Sequence, residues 1–260
     1  MKVIILCGGQ GTRLREETEF KPKPMVEIGG KPILWHIMKL YSHYGYREFI
    51  LALGYKGDVI RDYFLKYKFY NNDFTVKLGN ESDVIFHSNN DEKDWTVTLV
   101  ETGAESMTGH RTKLCEKYIH EDDFMLTYGD AVSSVNIGEL VKFHKKQNTT
   151  GTVTGVFPPS RFGDLNVDGD YVVRFKEKIP DIENQTPING GFFVFKKEFF
   201  DTLDKRSDLV LETEPMNLLV GKKQLSVYRH NGFWQCMDTY RDNQYLNNLW
   251  KTKPEWKVWD

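Results

Sequence analysis

The sequence has few of the features that would place it outside the ordinary globular proteins. Its three cysteines, Cys7, Cys115 and Cys236, are far apart, with no CxxC spacing and no nearby histidine pair, which argues against a disulfide framework and a zinc site. The apolar run within MKVIILCGGQ is only a few residues long, too short for a signal peptide or a membrane span. We therefore expect a cytoplasmic protein with no membrane partner.

Excess charge and sequence repetition are absent as well. The formal net charge is -2, 40% of the residues are hydrophobic and 14% are aromatic, which excludes a strongly basic nucleic-acid binder, a disordered chain and a coiled coil. There is no internal repeat, low-complexity tract or flexible linker. At 260 residues, the chain is expected to form a single domain over 1–260 rather than two equal ones.

The order of hydrophobic patterns predicts an α/β fold. A β-branched run at Lys2–Cys7 leads into glycines, a helical pattern covers Pro32–Tyr44, and Phe49–Leu53 resumes as a strand, which together form a βαβ unit. A polar excursion is expected at about 70–94 and a helical tail from 234 to 260. Further strands are expected at 96–100, 124–128, 151–157, 171–175 and 191–195, and further helices at 104–118, 135–147, 198–203 and 214–221. The predicted sheet is mixed, mostly parallel and flanked by helices.

The densest chemical signal is the glycine-rich turn after the first strand, LCGGQGTRL at 6–14. Its glycines let backbone N–H groups approach a ligand closely, and Thr12 and Arg13 add side-chain donors that suit a triphosphate. The spacing matches neither GxxxxGK[ST] nor GxGxxG, which disfavours a P-loop NTPase and a dinucleotide oxidoreductase. An ordinary tight turn beside a solvated arginine remains the alternative.

Two lysines follow in the segment Lys21-Pro22-Lys23-Pro24. A proline after each lysine favours extended backbone, so both side chains are expected on the same side of the chain. Beside the glycine–arginine turn, this segment is a candidate phosphate clamp. The alternative is a solvated basic loop.

Two aspartates are candidate ligands for magnesium. Asp130 ends the strand segment LTYGD, and Asp238 lies in the otherwise apolar segment FWQCMDT. Magnesium prefers one or two carboxylates together with phosphate oxygens and water. The alternatives are a turn aspartate for Asp130 and a helix N-cap for Asp238.

Polar residues later in the chain suit a sugar phosphate. Asn189 precedes two glycines and can both donate and accept hydrogen bonds to hydroxyl groups, while Glu177 and Lys178 follow a predicted strand and offer an acceptor and a phosphate partner. An ordinary turn and a surface ion pair are the alternatives.

Taken in order, these residues resemble the sugar nucleotidyltransferase family, and within it the glucose-1-phosphate cytidylyltransferase branch. The most specific stretch is GGQGTRLREETEFKPKPMVEIGGKPILWHIM, because relatives that use dTTP or UTP usually carry a proline-containing segment after Arg-Leu. Further matching blocks are SMTGHR, TYGD, FPPSRFG, INGGFFVF and GFWQCMDTYRD. The resemblance covers essentially the whole chain.

The resemblance implies a Rossmann-like fold that transfers a cytidylyl group from CTP to α-D-glucose 1-phosphate with Mg²⁺, and a homo-oligomer acting in the synthesis of deoxysugars for surface polysaccharide. It implies catalytic roles for Arg13 and Lys23, magnesium on Asp130 and Asp238, and a nucleotide site that includes Ser106 and Arg111 near the cytosine. The implied nucleotide contacts are Leu6, Gly8, Gly9, Gly11, Thr12, Arg13, Lys23, Ser106, Arg111, Tyr128 and Gly129, and the implied sugar-phosphate contacts are Glu177, Lys178 and Asn189.

Two positions depart from the branch's usual pattern. Ala131 stands where a glycine is usual after TYGD, and Ile179 where a proline is common after Glu-Lys. Because Ile179 lies on the sugar side, another sugar 1-phosphate or small phosphorylated acceptor remains an alternative. A noncatalytic nucleotide-sugar-binding protein is a more remote one, since such a protein would typically have lost the arginine, lysine or carboxylates.

Overall fold

The computed structural model describes residues 1–87, 92–158, 164–176 and 186–259. Its strands are β1 (Val3–Leu6), β2 (Glu27–Ile28), β3 (Lys31–Pro32), β4 (Glu48–Leu53), β5 (Phe74–Lys77), β6 (Asn80–Phe86), β7 (Thr96–Glu101), β8 (Asp123–Tyr128), β9 (Ala131–Ser133), β10 (Gly151–Val156), β11 (Asp164–Asp168), β12 (Tyr171–Lys176), β13 (Ile188–Asn189), β14 (Phe193–Lys196), β15 (Leu225–His230) and β16 (Trp234–Cys236). Its α-helices are α1 (Arg15–Thr18), α2 (Ile33–His43), α3 (Gly57–Leu65), α4 (Tyr67–Asn71), α5 (Thr108–Cys115), α6 (Ile137–Gln147), α7 (Glu214–Gly221) and α8 (Tyr240–Thr252). Short 3₁₀ helices lie at Thr12–Leu14, Lys23–Met25, Glu116–Tyr118 and Lys197–Thr202.

The central sheet has the order β13-β10-β14-β8-β1-β4-β7, and β15 pairs with the outer side of β10. Strands β8, β1, β4 and β7 are parallel to one another, whereas β14 runs antiparallel to β8. The mixed, mostly parallel α/β sheet expected from the sequence is therefore confirmed. Because β1 lies between β4 and β8, the crevice at its carboxyl end is the place where open α/β sheets bind ligands.

The first strand, β1, is buried on both faces of the sheet. All four of its residues are buried, and they alternate between two apolar cores: Val3 and Ile5 face one, and Ile4 and Leu6 face the other. A strand covered on both sides reads as a continuous β-branched run rather than as alternating polar and apolar residues. Helix α2 closes the first core with buried residues such as Ile37 and Tyr41.

The structure changes some predicted element boundaries. The helix predicted at 104–118 begins only at Thr108, and the helix predicted at 198–203 is a 3₁₀ helix, Lys197–Thr202. The tail is helical over α8, where Thr239 and Asp242 form a capping box, but it is preceded by a short strand, β16, that the sequence did not indicate. This strand pairs with β9.

The polar excursion at 70–94 contains the hairpin β5–β6 within its described part. Leu78 in its turn is 91% exposed, and Val76 and Ile85 are also exposed. Apolar side chains at these positions suit a contact surface, and the homo-oligomer stays a prediction. Within the described residues, no helix combines the length and apolar character that crossing a membrane requires.

After α8 the chain returns to α2 and builds an aromatic cluster, which we call the tryptophan cluster. It surrounds the fully buried His36 with Trp35, Trp250, Trp256 and Trp259. One imidazole nitrogen, Nε2, lies 2.9 Å from the carbonyl oxygen of Ile28, and the other accepts a hydrogen bond from the indole N–H of Trp256 at 3.3 Å. The last described residues are therefore fixed to the domain by packing around a single polar ring.

Candidate active site

A cavity of about 340 Å³ opens at the carboxyl ends of β1 and β8. These two strands are parallel neighbours, with Leu6 opposite Tyr128, so the glycine-rich turn after β1 and the Gly129-Asp130 turn after β8 meet at one sheet edge. The cavity's lining includes the following residues that the sequence singled out: Leu6, Gly8, Gly9, Gly11, Thr12, Arg13, Lys23, Ser106, Arg111, Tyr128, Gly129, Asp130 and Asp238. Their placement as one constellation supports the role proposed for them below.

Four of these residues form a group that we call the ionic cluster: Arg13, Lys23, Asp130 and Asp238. The ammonium of Lys23 lies 2.7 Å from Oδ2 of Asp130 and 2.5 Å from Oδ1 of Asp238. The guanidinium of Arg13 lies 3.1 Å from the other oxygen of Asp238. Two carboxylates thus converge on a single cationic centre, and Arg13, whose side chain is 73% exposed, stands at the open side.

Burial and charge oppose each other in the ionic cluster. Burial alone would lower the pKa of Lys23, but the neighbouring Asp130 and Asp238 carboxylates outweigh it and hold that pKa above its ordinary value. Burial would likewise raise the pKa of Asp238, yet the charges of Lys23 and Arg13 hold it below its ordinary value. Lys23 and Asp238 therefore both stay ionised at neutral pH.

Asp238 reaches the cluster through a long-range contact. Strand β16 pairs antiparallel with β9, placing Cys236 opposite Ala131, and the backbone N–H of Met237 donates to the carbonyl of Asp130 at 2.9 Å. Asp238 is not the N-cap of α8, because Thr239 takes that position. Its carboxylate remains available to the cavity.

Arg111 also lines the cavity, but unlike Arg13 and Lys23 it is not paired with a carboxylate of the described residues. Its side chain is buried, and its NH1 nitrogen donates to the carbonyls of Leu53 and Gly103 and to the Thr102 hydroxyl, while NH2 donates to the carbonyls of Gly8 and Ala104. Burial lowers the pKa of this guanidinium below its ordinary value. Arg111 thus ties the glycine-rich turn to the 102–104 loop through neutral partners.

The turn also shows why position 8 needs a glycine. A Cβ atom on Gly8 would lie 2.2 Å from the Arg111 guanidinium, a distance that real Cβ contacts do not adopt. The missing side chain therefore makes room for the arginine as well as for any ligand above the turn.

On the sugar side, the structure describes one of the three predicted residues. Asn189 donates from Nδ2 to the Tyr128 hydroxyl at 3.0 Å, which joins it to the cavity's rim. Glu177 and Lys178 lie outside the described residues, as does Ile179.

One expectation about the lysines is wrong. Lys23 starts the 3₁₀ turn Lys23–Met25 rather than continuing an extended segment, because Val26 N–H bonds back to its carbonyl. Lys21 turns away toward Glu17 and Glu27, at 3.5 Å and 3.8 Å, and lines a different cavity. Only Lys23 of the pair enters the candidate site.

The sequence missed several residues at the cavity. Cys7, Pro24, Met107 and Thr108 complete its lining, and Glu212 bonds to two rim residues, Tyr128 and Thr108. Thr108 and Met107 stand beside the predicted Ser106, so the SMTGHR block could have indicated them. Glu212 is a single glutamate in an irregular segment, and no motif around it indicated a role.

Comparison with known proteins identifies the family of this chain. A family model described as nucleotidyl transferase matches residues 2–239. The chain is 46% identical over 262 residues to a glucose-1-phosphate cytidylyltransferase of Salmonella typhi and 42% identical over 260 residues to a probable glucose-1-phosphate cytidylyltransferase of Bacillus subtilis, covering 100% of both chains in each case. It is also 29% identical to a mannose-1-phosphate guanyltransferase of Saccharomyces cerevisiae, over 98% of this chain and 67% of that one.

Solved structures agree at the level of the fold. A putative glucose-1-phosphate thymidylyltransferase from Bacillus anthracis superposes with a TM-score of 0.69 at 20% identity, covering 97% of this chain and 96% of that one. The inositol-1-phosphate CTP transferase from T. maritima gives a TM-score of 0.67 at 17% identity, covering 99% and 96%. The family model, the full-length similarity and the shared fold show together that this chain belongs to the nucleotidyl transferase family.

Proposed function

We propose that this enzyme transfers a cytidylyl group from CTP to α-D-glucose 1-phosphate, giving CDP-glucose and pyrophosphate. The observation that carries the proposal is the ionic cluster at the carboxyl edge of the sheet, in a chain similar over its full length to relatives named for this reaction. The reaction is an in-line displacement at the α-phosphorus by a phosphate oxygen of the sugar. It needs positioning and charge neutralisation more than a protein nucleophile.

The donor set fits a divalent metal, which we propose to be Mg²⁺. The Lys23 ammonium marks the point on which Asp130 and Asp238 converge, and a hard cation with phosphate oxygens and water suits the same two carboxylates. Across the described residues, no three His, Cys, Asp or Glu side chains come together to hold a metal alone, which agrees with a site completed by the nucleotide. When bound, the metal would neutralise charge on the phosphates.

We further propose that Lys23 leaves the carboxylates when the nucleotide binds. Its ammonium and a metal cannot occupy the same position between Asp130 and Asp238, and the triphosphate offers the ammonium a new anionic partner. Arg13 at the open side would bind the same phosphates with parallel hydrogen bonds. Lys23 and Arg13 would then both stabilise the pyrophosphate as it departs.

The nucleotide would lie on the glycine-rich turn, with Ser106 and Arg111 on the side of the base. The Ser106 hydroxyl donates to the carbonyl of Thr102 and lies 2.9 Å from Nδ1 of His110, so this wall presents ordered polar groups. Selection of cytosine over uracil requires a match to an amine in place of a carbonyl, because a mismatched partner leaves buried groups unpaired. Asn189, with Glu177 and Lys178, would bind the sugar phosphate.

Pyrophosphate release tests the proposal, with glucose 1-phosphate and Mg²⁺ present and CTP, UTP, dTTP and ATP offered separately. We expect strong preference for CTP. Preference for another nucleotide would overturn the base assignment. An acceptor panel with CTP, including other hexose and heptose 1-phosphates, decides the sugar, and release that needs no acceptor or fails with every one would contradict the proposed transfer.

A further inference from the structure

A directional chain of hydrogen bonds links the two sides of the candidate site. The backbone N–H of Gly191 donates to Oδ1 of Asn189 at 2.9 Å, and Nδ2 of Asn189 donates to the Tyr128 hydroxyl at 3.0 Å. The Tyr128 hydroxyl in turn donates to Oε1 of Glu212 at 2.5 Å. Every donor in the chain thus points from Gly191 toward Glu212.

Glu212 fixes this direction because an ionised carboxylate can only accept hydrogen bonds. The single proton of the Tyr128 hydroxyl is used on Glu212, so the hydroxyl can only accept from Asn189. The Asn189 amide must then turn its nitrogen toward Tyr128 and its oxygen toward the Gly191 N–H. One N–H of the amide and one lone pair of its oxygen remain for a ligand.

The acceptor end of the chain is anchored to the nucleotide side. The second carboxylate oxygen of Glu212 accepts from the Thr108 hydroxyl at 2.7 Å, and that hydroxyl accepts from the Leu211 N–H at 2.9 Å. Backbone bonds from Met107 to Ser207 and from Gly109 to Leu209 hold the two segments together. Glu212 is therefore a fixed acceptor, although it is exposed to solvent.

Tyr128 is held so that its hydroxyl reaches both partners. Its ring packs edge-on against Phe193, with centroids 5.8 Å apart. Gly191 has φ +75°, and a Cβ there would lie 3.0 Å from the tyrosine ring, so the glycine provides both the backbone turn and the space for the ring.

We infer that Glu212 is a positioning residue which, through the Tyr128 hydroxyl, sets the orientation of the Asn189 amide for the sugar phosphate. The inference rests on the proposed function, since it assigns the sugar-phosphate side to Asn189. Glu212 does not touch the reacting atoms; it acts at one remove. The hydrogen bonds of the Tyr128 hydroxyl to Asn189 and Glu212 are exposed, so losing them costs little in folding stability while the tyrosine ring stays packed.

The test compares Tyr128→Phe, Glu212→Ala and the double variant, with Glu214→Ala as the matched control. Glu214 is also an exposed glutamate, two residues further on, but it pairs with Arg206. We expect each single variant to raise the KM for glucose 1-phosphate about tenfold, the loss of roughly one hydrogen bond to the ligand. Tyr128 lines the cavity proposed for the nucleotide and Glu212 does not, so it is in Glu212→Ala that the KM for CTP should change far less. The melting temperature and the control should stay close to wild type.

Coupling provides the second readout. If the two residues act through one chain, the double variant is no worse than Tyr128→Phe alone, and Glu212→Gln, which keeps one acceptor oxygen, recovers part of the affinity. An unchanged KM for glucose 1-phosphate, a KM for CTP raised equally in Glu212→Ala, or additive defects in an active enzyme would overturn the inference and leave the proposed function standing. A wild-type protein without activity on these substrates would overturn the proposed function, and this inference with it.

Discussion

The ionic cluster and the tryptophan cluster both take residues from the last part of the chain, yet they are built in opposite ways. The first gathers four charged groups at a cavity, with Arg13 largely exposed. The second packs aromatic rings around a neutral, fully buried imidazole. The charges of the ionic cluster can be exchanged for those of a ligand, which is why we propose a catalytic role for them. The neutral tryptophan cluster packs the chain that follows Asp238 against α2.

The largest effect expected is on stability, from Trp256→Ala. The ring is 1% exposed, stacks on Phe233 and Trp250, and donates to His36. Its removal should cost about 3–5 kcal/mol in the free energy of unfolding, measured with denaturant. Turnover per folded molecule should stay close to wild type, and Tyr245→Ala on the exposed part of α8 is the control. Loss of turnover with unchanged stability would break the comparison.

Next in size is the loss of turnover in Lys23→Ala. If the ammonium stabilises the departing pyrophosphate, turnover should fall about 10²–10³-fold, as when one preorganised donor is lost. Lys21→Ala is the matched control, because that lysine lies two residues earlier and outside the cavity. Similar kinetics for the two variants would contradict the role given to Lys23.

A third effect depends on pH and separates the clusters. Burial lowers the pKa of His36 to about 4 from an ordinary 6.5, so the unfolded chain takes up the proton first. Neutral His36 therefore contributes to the free energy of unfolding, at most about 3 kcal/mol. This contribution is complete above pH 6.5 and is lost as the pH falls toward 4. The pKa of Asp238 lies below its ordinary 3.8, because the charges of Lys23 and Arg13 outweigh its burial, so the contribution of this carboxylate to stability is lost only in stronger acid.

Unfolding free energies measured from pH 7 to pH 4 check this. His144 and His230 also have pKa values lowered by burial and affect stability in the same direction. The His36→Leu variant therefore isolates the contribution of His36. Its stability should depend less on pH than that of the wild type. If the stability of His36→Leu and of the wild type depended on pH in the same way, protonation of His36 would not be what destabilises the tryptophan cluster in acid.

The smallest effect is expected for Arg13→Ala. Its exposed guanidinium makes one ion pair, so the melting temperature should not change measurably. Loss of its charge-assisted hydrogen bonding to the triphosphate and to the departing pyrophosphate should raise the KM for CTP about tenfold. Turnover should fall as well, but less than in Lys23→Ala, because the Arg13 side chain is largely exposed. Arg229→Ala, an exposed arginine on β15, is the control, and an unchanged KM for CTP would remove Arg13 from the nucleotide site.

Local pattern was enough to predict the scaffold. The residues of β1 are all buried, and α2 buries one face. The spacing of apolar residues along each segment therefore reveals whether it is a strand or a helix. The meeting of the glycine-rich turn with Asp130 depends in addition on the parallel pairing of β1 with β8. The positions of β1 and α2 along the chain needed no knowledge of which distant segments pair.

The remaining site features depend on long-range or irregular contacts. Asp238 reaches Asp130 only because β16 pairs with β9, a contact between segments about a hundred residues apart that no local period reveals. Prolines predicted that Lys21 and Lys23 would point the same way, but the 3₁₀ turn and the two glutamates near Lys21 prevailed. Glu212 acquires its place from bonds to Tyr128 and Thr108, which its own neighbourhood does not indicate.

The most direct test of the central claim follows phosphorus NMR signals after the protein is mixed with CTP, glucose 1-phosphate and Mg²⁺. The account predicts that CDP-glucose and pyrophosphate appear in equal amounts while both substrates decline together, and that adding pyrophosphate reverses the reaction. Pyrophosphate released together with CMP, without CDP-glucose, would contradict it, as would CTP that remains unchanged.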